Sequence, residues 1–196
     1  MSKKSDNLFK QIYKWYKNIM ATDEQQKAAM NVKAHRVTIN DVLYYVGRAQ
    51  VSDIKEILDV ERAVYDGQTP WNEKAFASEL RRKSDRLYLV VRKNDRMVAF
   101  IGSSYSRGAK DLHVTNIAVL PEWQRKGIAT FLLNTIIHKA TKIDAKQVSL
   151  EVRASNEKAQ KTYASLGFES HGVQAGYYFG DHEDAIDMVL PLKEKE

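Results

Sequence analysis

Apolar and polar positions change rhythm several times along this chain, and each change predicts an element. Residues 36–48, "RVTINDVLYYVGR", alternate on either side of Asn40-Asp41, which predicts a strand, a tight turn and a second strand. Residues 52–65 switch to helical spacing, with Ile54, Ile57, Leu58 and Val64 apolar and Ser52 or Asp53 available as N-cap. A loop, "DGQTP", leads to a second helical pattern at 71–83. "RLYLVVRKNDRMVAFIGSSYS" reads as a hairpin closing at Asn94-Asp95. A strand at 110–119, a helix at 127–141, a strand at 147–152, a helix at 156–167 and two closing strands near 168–178 and 184–190 complete the set. The elements mix without a strict βαβ repeat, which predicts an α/β fold built on one mixed sheet with helices on both faces.

Ahead of these elements, residues 5–30 follow a helical pattern of their own. With successive residues about 100° apart, Lys10, Lys14 and Lys17 share a narrow sector. Leu8, Phe9, Ile12, Tyr13, Trp15, Tyr16, Ile19 and Met20 fill a wide sector opposite. Such a stripe fits docking on the same chain or on a twin subunit; contact with a membrane surface or with ribosomal RNA fits it as well. The formal charge of +6 has the same bias, since residues 1–50 hold nine Lys and Arg against four Asp and Glu. The basic character belongs to an extension, residues 1–36, and not to the body, residues 37–196.

The 196 residues, 43% of them hydrophobic, suit one domain with its own core. The absence of cysteine excludes disulfides, a thiolate nucleophile and a cysteine-ligated zinc. His35, His113, His138, His171 and His182 show no ligand spacing, so they read as structural or surface residues and no metal is expected. No apolar run approaches the roughly 20 residues of a membrane span. Lysines interrupt the N-terminus where a secretory signal would be continuously apolar. The expectation is a cytoplasmic protein.

Candidate chemistry gathers in two stretches. Along the strand at 110–119, Leu112 and Val114 share one parity while Ile117 and Val119 share the other. The apolar face therefore slips near Thr115-Asn116, through a β-bulge or because the strand is buried on both faces. The strand hands over to a helix through "QRKGIA", residues 124–129. Gly127 and the small Ala129 allow close approach to the backbone. Amides opening the helix, with Arg125 or Lys126 beside them, suit an anion such as phosphate, and a solvated turn is the plainer alternative. In "QVSLEVRAS", Val148, Leu150 and Val152 face one way while Ser149, Glu151 and Arg153 face the other. Glu151 is then a carboxylate on the polar side of a central strand, or a solvated one. Asn156, Ala159 and Tyr163 share a face of the following helix.

"TNIAVLPEWQRKGIATFLL" and "LEVRASNEKAQKTYASLGF" resemble the GNAT acyltransferase superfamily. The second stretch, "EDAIDMVLPL" near the end and "PWNEKAFASEL" at 70–80 resemble its RimI-type ribosomal-protein alanine N-acetyltransferases. The likeness covers roughly residues 42–192 and leaves out 1–36. It implies a mostly antiparallel sheet opened into a V between the strands at 110–119 and 147–152 by a bulge in the former. Acetyl-CoA is implied in that opening, its pantetheine arm paired with the backbone of Ile117, Ala118 and Val119. Its pyrophosphate would lie on the turn Gln124, Arg125, Lys126, Gly127, Ile128, Ala129 and Thr130. Asn156 would bind the CoA arm or fix Tyr163. The resemblance makes Glu151 the general base and Tyr163 the general acid. The acceptor it implies is a protein N-terminus, most naturally the alanine of a small-subunit ribosomal protein, with another amine (other protein N-termini, lysine, a small metabolite) as the alternative. Two acceptor-side loops depart from the family pattern: "DGQTP", and "QAGYYFGDHED" at 174–184, which lacks the expected proline after its Tyr-Tyr pair.

Overall fold

The computed structural model describes Glu24, residues 26–65 and residues 67–193. Eight strands form one sheet in the order β1-β2-β3-β4-β5-β6-β8-β7. They are β1 (His35–Ile39), β2 (Val42–Arg48), β3 (Arg86–Lys93), β4 (Arg96–Ser106), β5 (Asp111–Val119), β6 (Gln147–Arg153), β7 (Glu169–Gln174) and β8 (Ala185–Pro191). Neighbours are antiparallel except β5 and β6, which run parallel. Both expected Asn-Asp turns are present. Asn40, Asp41, Asn94 and Asp95 all have positive φ, the requirement of the tight hairpin turn whose twist matches the strands.

Among the residues from 35 to 193 that are described, helices α1 (Ile54–Val64), α2 (Glu73–Arg81), α3 (Ile128–Lys142) and α4 (Glu157–Ser165) cover the two faces. One core joins Leu132, Leu133 and Ile136 of α3 to Leu112, Val114, Val148 and Leu150 of the sheet. The other joins Ile57, Val60, Phe76 and Leu80 of α1 and α2 to Tyr88, Val90 and Phe100. Because helices lie on both sides, β3 and β4 are apolar without alternation from Leu87 to Val91 and from Met97 to Ile101. A fork-to-fork ion pair anchors the start of α1. Arg92 on β3 reaches Glu56 at 2.7 and 2.9 Å and Asp53 at 2.9 Å. Asp53 and Asn72 occupy the N-cap positions of α1 and α2; Asn72 caps with its side chain, whereas the Asp53 carboxylate bonds back to the amide of Gln50.

The last strand inserts between β6 and β7, so the order in space departs from the order in sequence. Of the helix expected over 5–30, Glu24 and residues 26–30 are described and are helical; the apolar stripe from Leu8 to Met20 lies outside the described residues. The described end of the extension is fastened to the body. Met30 is fully buried in the α3-side core, and Gln26 donates to the carbonyl of Ser84 at 2.9 Å and accepts from Arg107 at 2.8 Å. Among the described residues no helix is long and apolar enough to cross a membrane.

Candidate active site

The sheet opens where its register breaks. Gly102 pairs with Asn116 and Ser103 with Val114, which leaves Thr115 as the extra residue of a bulge in β5. That is the position where the apolar parity slips. On the other side of β5, the pairing with β6 runs from Asp111 and Gln147 to Val114 and Leu150 and stops there. Beyond that point the two parallel strands diverge, and the backbone of 115–119 keeps one edge outside the ladder. Packing holds the bulge. The Tyr88 hydroxyl lies 3.1 Å from Thr115 Oγ1, which bonds Asn116 Oδ1 at 3.2 Å. A Cβ on Gly102 would stand 2.2 Å from the Tyr88 ring and 2.3 Å from Asn116 Oδ1, so no side chain fits there.

β5 leads through a short 3-10 turn, Pro121–Trp123, to the amino end of α3. Gly127 is the N-cap in the left-handed region, at φ 79°, and gives no side-chain cap. The amides of Ile128, Ala129 and Thr130 precede the first helical bond, which Phe131 makes to Gly127. They sit at the positive end of the helix dipole and are disposed for an anion. Of the basic pair, Arg125 is exposed and Lys126 stacks over Trp123 at 4.6 Å. Gln124 has a different employment from the one expected. Its side chain bonds the carbonyl of Val119 at 3.1 Å and its amide bonds Pro121, so it ties the turn to β5. Asn156 likewise spends its Oδ1 on the amide of Ala159 at 3.1 Å, capping the helix that carries Tyr163.

Glu151 is the first residue of β6 past the pairing with β5, at the mouth of the opening. Its Oε2 lies 3.2 Å from Nε2 of His113, and the two side chains are 21% and 28% exposed. Burial raises the Glu151 carboxyl, but the His113 contact and a hydrogen bond from Tyr177 outweigh it and hold the group below the usual carboxylate range. For His113, burial pulls downward; Glu151 first, then Asp111 and Asp187, more than offset it and leave the imidazole above its ordinary value. His113, read from the sequence as a structural or surface residue, is partly buried beside Glu151. Its parity on β5 was legible, but the parallel register that sets it beside Glu151 is fixed by packing across the whole α3 crossover.

Tyr163 is 7% exposed, its ring 5.9 Å from that of Phe168. Burial, with smaller contributions from Tyr65 and Tyr178, pushes its hydroxyl well above the ordinary phenol range, so the group stays protonated. Tyr65 comes from the end of α1 and Tyr178 from the loop after β7. That loop is clamped. Arg153 bonds Asp181 at 2.7 Å and Glu183 at 2.6 Å while its guanidinium covers the Tyr178 ring at 4.1 Å.

Glu61 was also overlooked. It is 1% exposed, burial pushes its carboxyl up to about 7 against a bond from the Trp71 amide, and Oε2 has no partner among the described residues. Its spacing gave the signal, because Ile54, Ile57, Leu58 and Glu61 follow one apolar stripe. Among the described residues no group of three acidic or histidine side chains is placed to hold a metal ion.

The arrangement offers an open backbone edge, a helix amino end whose first amides precede the helical ladder, an ionised carboxylate paired with an imidazole, and a buried phenol. Residues 52–168 match the acetyltransferase (GNAT) family. The chain is 33% identical over 150 residues to the [ribosomal protein bS18]-alanine N-acetyltransferase of Escherichia coli, a match covering 75% of this chain and 97% of that one. An N-alpha-acetyltransferase of Saccharolobus solfataricus is 33% identical over 156 residues, 74% and 90% of the two chains. The crystal structure of the Escherichia coli ribosomal-protein-S18-alanine enzyme superposes with a TM-score of 0.69 at 31% identity, over 78% of this chain and 96% of that one.

Proposed function

Because the chain belongs to the GNAT acetyltransferase family, as a RimI-type N-acetyltransferase, we propose that it moves an acetyl group from acetyl-CoA to the α-amine of a protein N-terminus. The acceptor is the N-terminal alanine of a small-subunit ribosomal protein. The observation that carries this reading is Glu151, an ionised carboxylate at the point where β5 and β6 part, on a chain similar to alanine N-acetyltransferases.

The pantetheine arm pairs with the open edge at Ile117, Ala118 and Val119, and the pyrophosphate rests on the amides from Arg125 to Thr130. Gln124 and Asn156 serve by holding the turn and α4 in place. An α-amine has a reference pKa of about 7.7–8.0, so near neutral pH most of it is protonated and cannot attack. Glu151 receives that proton, directly or through a water. The amine adds to the thioester carbonyl, and the backbone amides around Asn116–Val119 face the charge that builds on its oxygen. Tyr163 gives its proton to the departing thiolate. A phenol kept protonated by burial suits that role, and no covalent enzyme intermediate is needed in a chain without cysteine.

Peptides starting with Ala, with Ser or with a blocked amine, together with spermidine and free lysine, test the acceptor. Acetylation of the Ala-starting peptide is expected, with the blocked peptide and the free amines unmodified. Acetylation of the free amines alone would replace this reading. Gly127→Glu tests the turn. The added Cβ meets Asn40 and Ile39 and the carboxylate beyond it repels a phosphate, so affinity for acetyl-CoA is expected to fall by at least about tenfold, ~1.4 kcal/mol. Native affinity by calorimetry would contradict the pyrophosphate assignment.

A further inference from the structure

Residues 31–41 lie ahead of the stretch, 52–168, that matches the family, yet they reach the turn that opens α3. Their path is fastened at both ends of that helix. Near its carboxyl end, Lys139 donates to the carbonyl of Asn31 at 2.8 Å. At its amino end, the turn between β1 and β2 lies against Gly127. Between these points Val32, Val37 and Ile39 pack on the core that holds Ile128, Leu132 and Ile136 of α3. The segment therefore straps the helix along its length. β2 adds Tyr44, whose ring meets Trp123 edge-on at 5.9 Å.

The strap delivers one polar group to the turn. A Cβ on Gly127 would stand 3.0 Å from Asn40 Nδ2, 3.5 Å from Asn40 Cγ and 3.3 Å from Ile39 Cγ2. The carboxamide thus lies beside the N-cap of α3, with its nitrogen the nearer atom. It is exposed and has no hydrogen-bond partner among the described residues. Hairpin chemistry explains an asparagine at positive φ, as Asn94 shows in the other Asn-Asp turn. It does not explain an unpartnered amide nitrogen set against a turn whose own first amides precede the helical ladder. A hydrogen bond from such a donor to a charged oxygen is stronger than one between neutral groups.

We propose that Asn40 is a binding residue for acetyl-CoA: its side-chain amide donates to the pyrophosphate on residues 125–130, so that the strap completes the cofactor site. The inference rests on the acetyl-CoA reading above. Position 40 needs positive φ, which Gly adopts freely and Asp tolerates, so the carboxamide can be removed or replaced by a charge without undoing the hairpin.

The test is calorimetry of acetyl-CoA binding to the full chain and to two variants. Asn40→Gly is expected to weaken binding about tenfold, the loss of one hydrogen bond to a charged group. Asn40→Asp has nearly the same shape but turns a carboxylate toward the phosphates, and a loss of about a hundredfold is expected. A second donor locates the effect. S-acetylpantetheine keeps the thioester and the pantetheine arm but lacks both phosphates, and Asn40→Gly is expected to use it as well as the native protein does. Native affinity of Asn40→Gly for acetyl-CoA would overturn the proposal and leave the acetyl-transfer reading standing. An equal loss with S-acetylpantetheine would overturn it too, by making the strap a brace for the whole site and not a phosphate contact. Failure of the acetyl-transfer reading shows instead in the native protein, as an Ala-starting peptide left unmodified.

Discussion

Glu151→Gln is expected to lower kcat by about a hundredfold near neutral pH, the lower end of what a positioned base contributes. The substitution keeps the shape of the side chain and removes its ability to take a proton. The deficit should narrow as pH rises past about 8, because the amine then arrives already unprotonated. The sign follows from the two groups involved. Glu151 lies below the usual carboxylate range, so it stays ionised throughout, and the ammonium is what becomes scarce as pH rises. Tyr163→Phe should behave differently, slowing turnover with little change in acetyl-CoA affinity, since the ring packed on Phe168 remains. A Glu151→Gln deficit that is equal at every pH would contradict a base role.

Gly102→Ala is expected to destabilise the fold and to disable the site together. Adding a methyl group to a strand glycine whose backbone tolerates it ordinarily stabilises by about 0.4–1 kcal/mol. Here the new Cβ would lie 2.2 and 2.5 Å from the Tyr88 ring and 2.3 Å from Asn116 Oδ1. Tyr88 is 1% exposed and wedged edge-on against Phe76, so the ring has nowhere to go. Overpacking of this kind costs about 1–3 kcal/mol or more, which outweighs the backbone gain. A fall in Tm of up to about 10 °C follows for a domain of this size. Activity should fall further than stability, because the displaced Tyr88 hydroxyl no longer holds Thr115 in the bulge that parts β5 from β6. Thermal melting beside turnover checks this; a variant as stable and active as the native protein would show that the bulge does not depend on that contact.

What was legible in the sequence was local. The Asn-Asp hairpins declare themselves in two residues that tolerate positive φ, and the bulge shows as a parity slip within one strand. Helix α3 announces its amino end by the glycine in front of an apolar run. Partners set by long-range packing were not legible. His113 and Glu151 meet only because β5 and β6 pair in parallel across the α3 crossover, a register that neither strand carries by itself. The insertion of β8 between β6 and β7 is of the same kind. Gln124 and Asn156 read as cofactor-binding residues, yet their side chains are spent on Val119 and Ala159, which residue type alone does not reveal. Glu61 differs from these, since its place in the apolar stripe of α1 was open to view.

The most direct measurement is tandem mass spectrometry of an Ala-starting ribosomal-protein peptide with an internal lysine, after incubation with the enzyme and acetyl-CoA. One acetyl group is expected, on the α-nitrogen of the alanine, with one CoA released for each. An acetyl group on the lysine, or CoA release with an unmodified peptide, would contradict it.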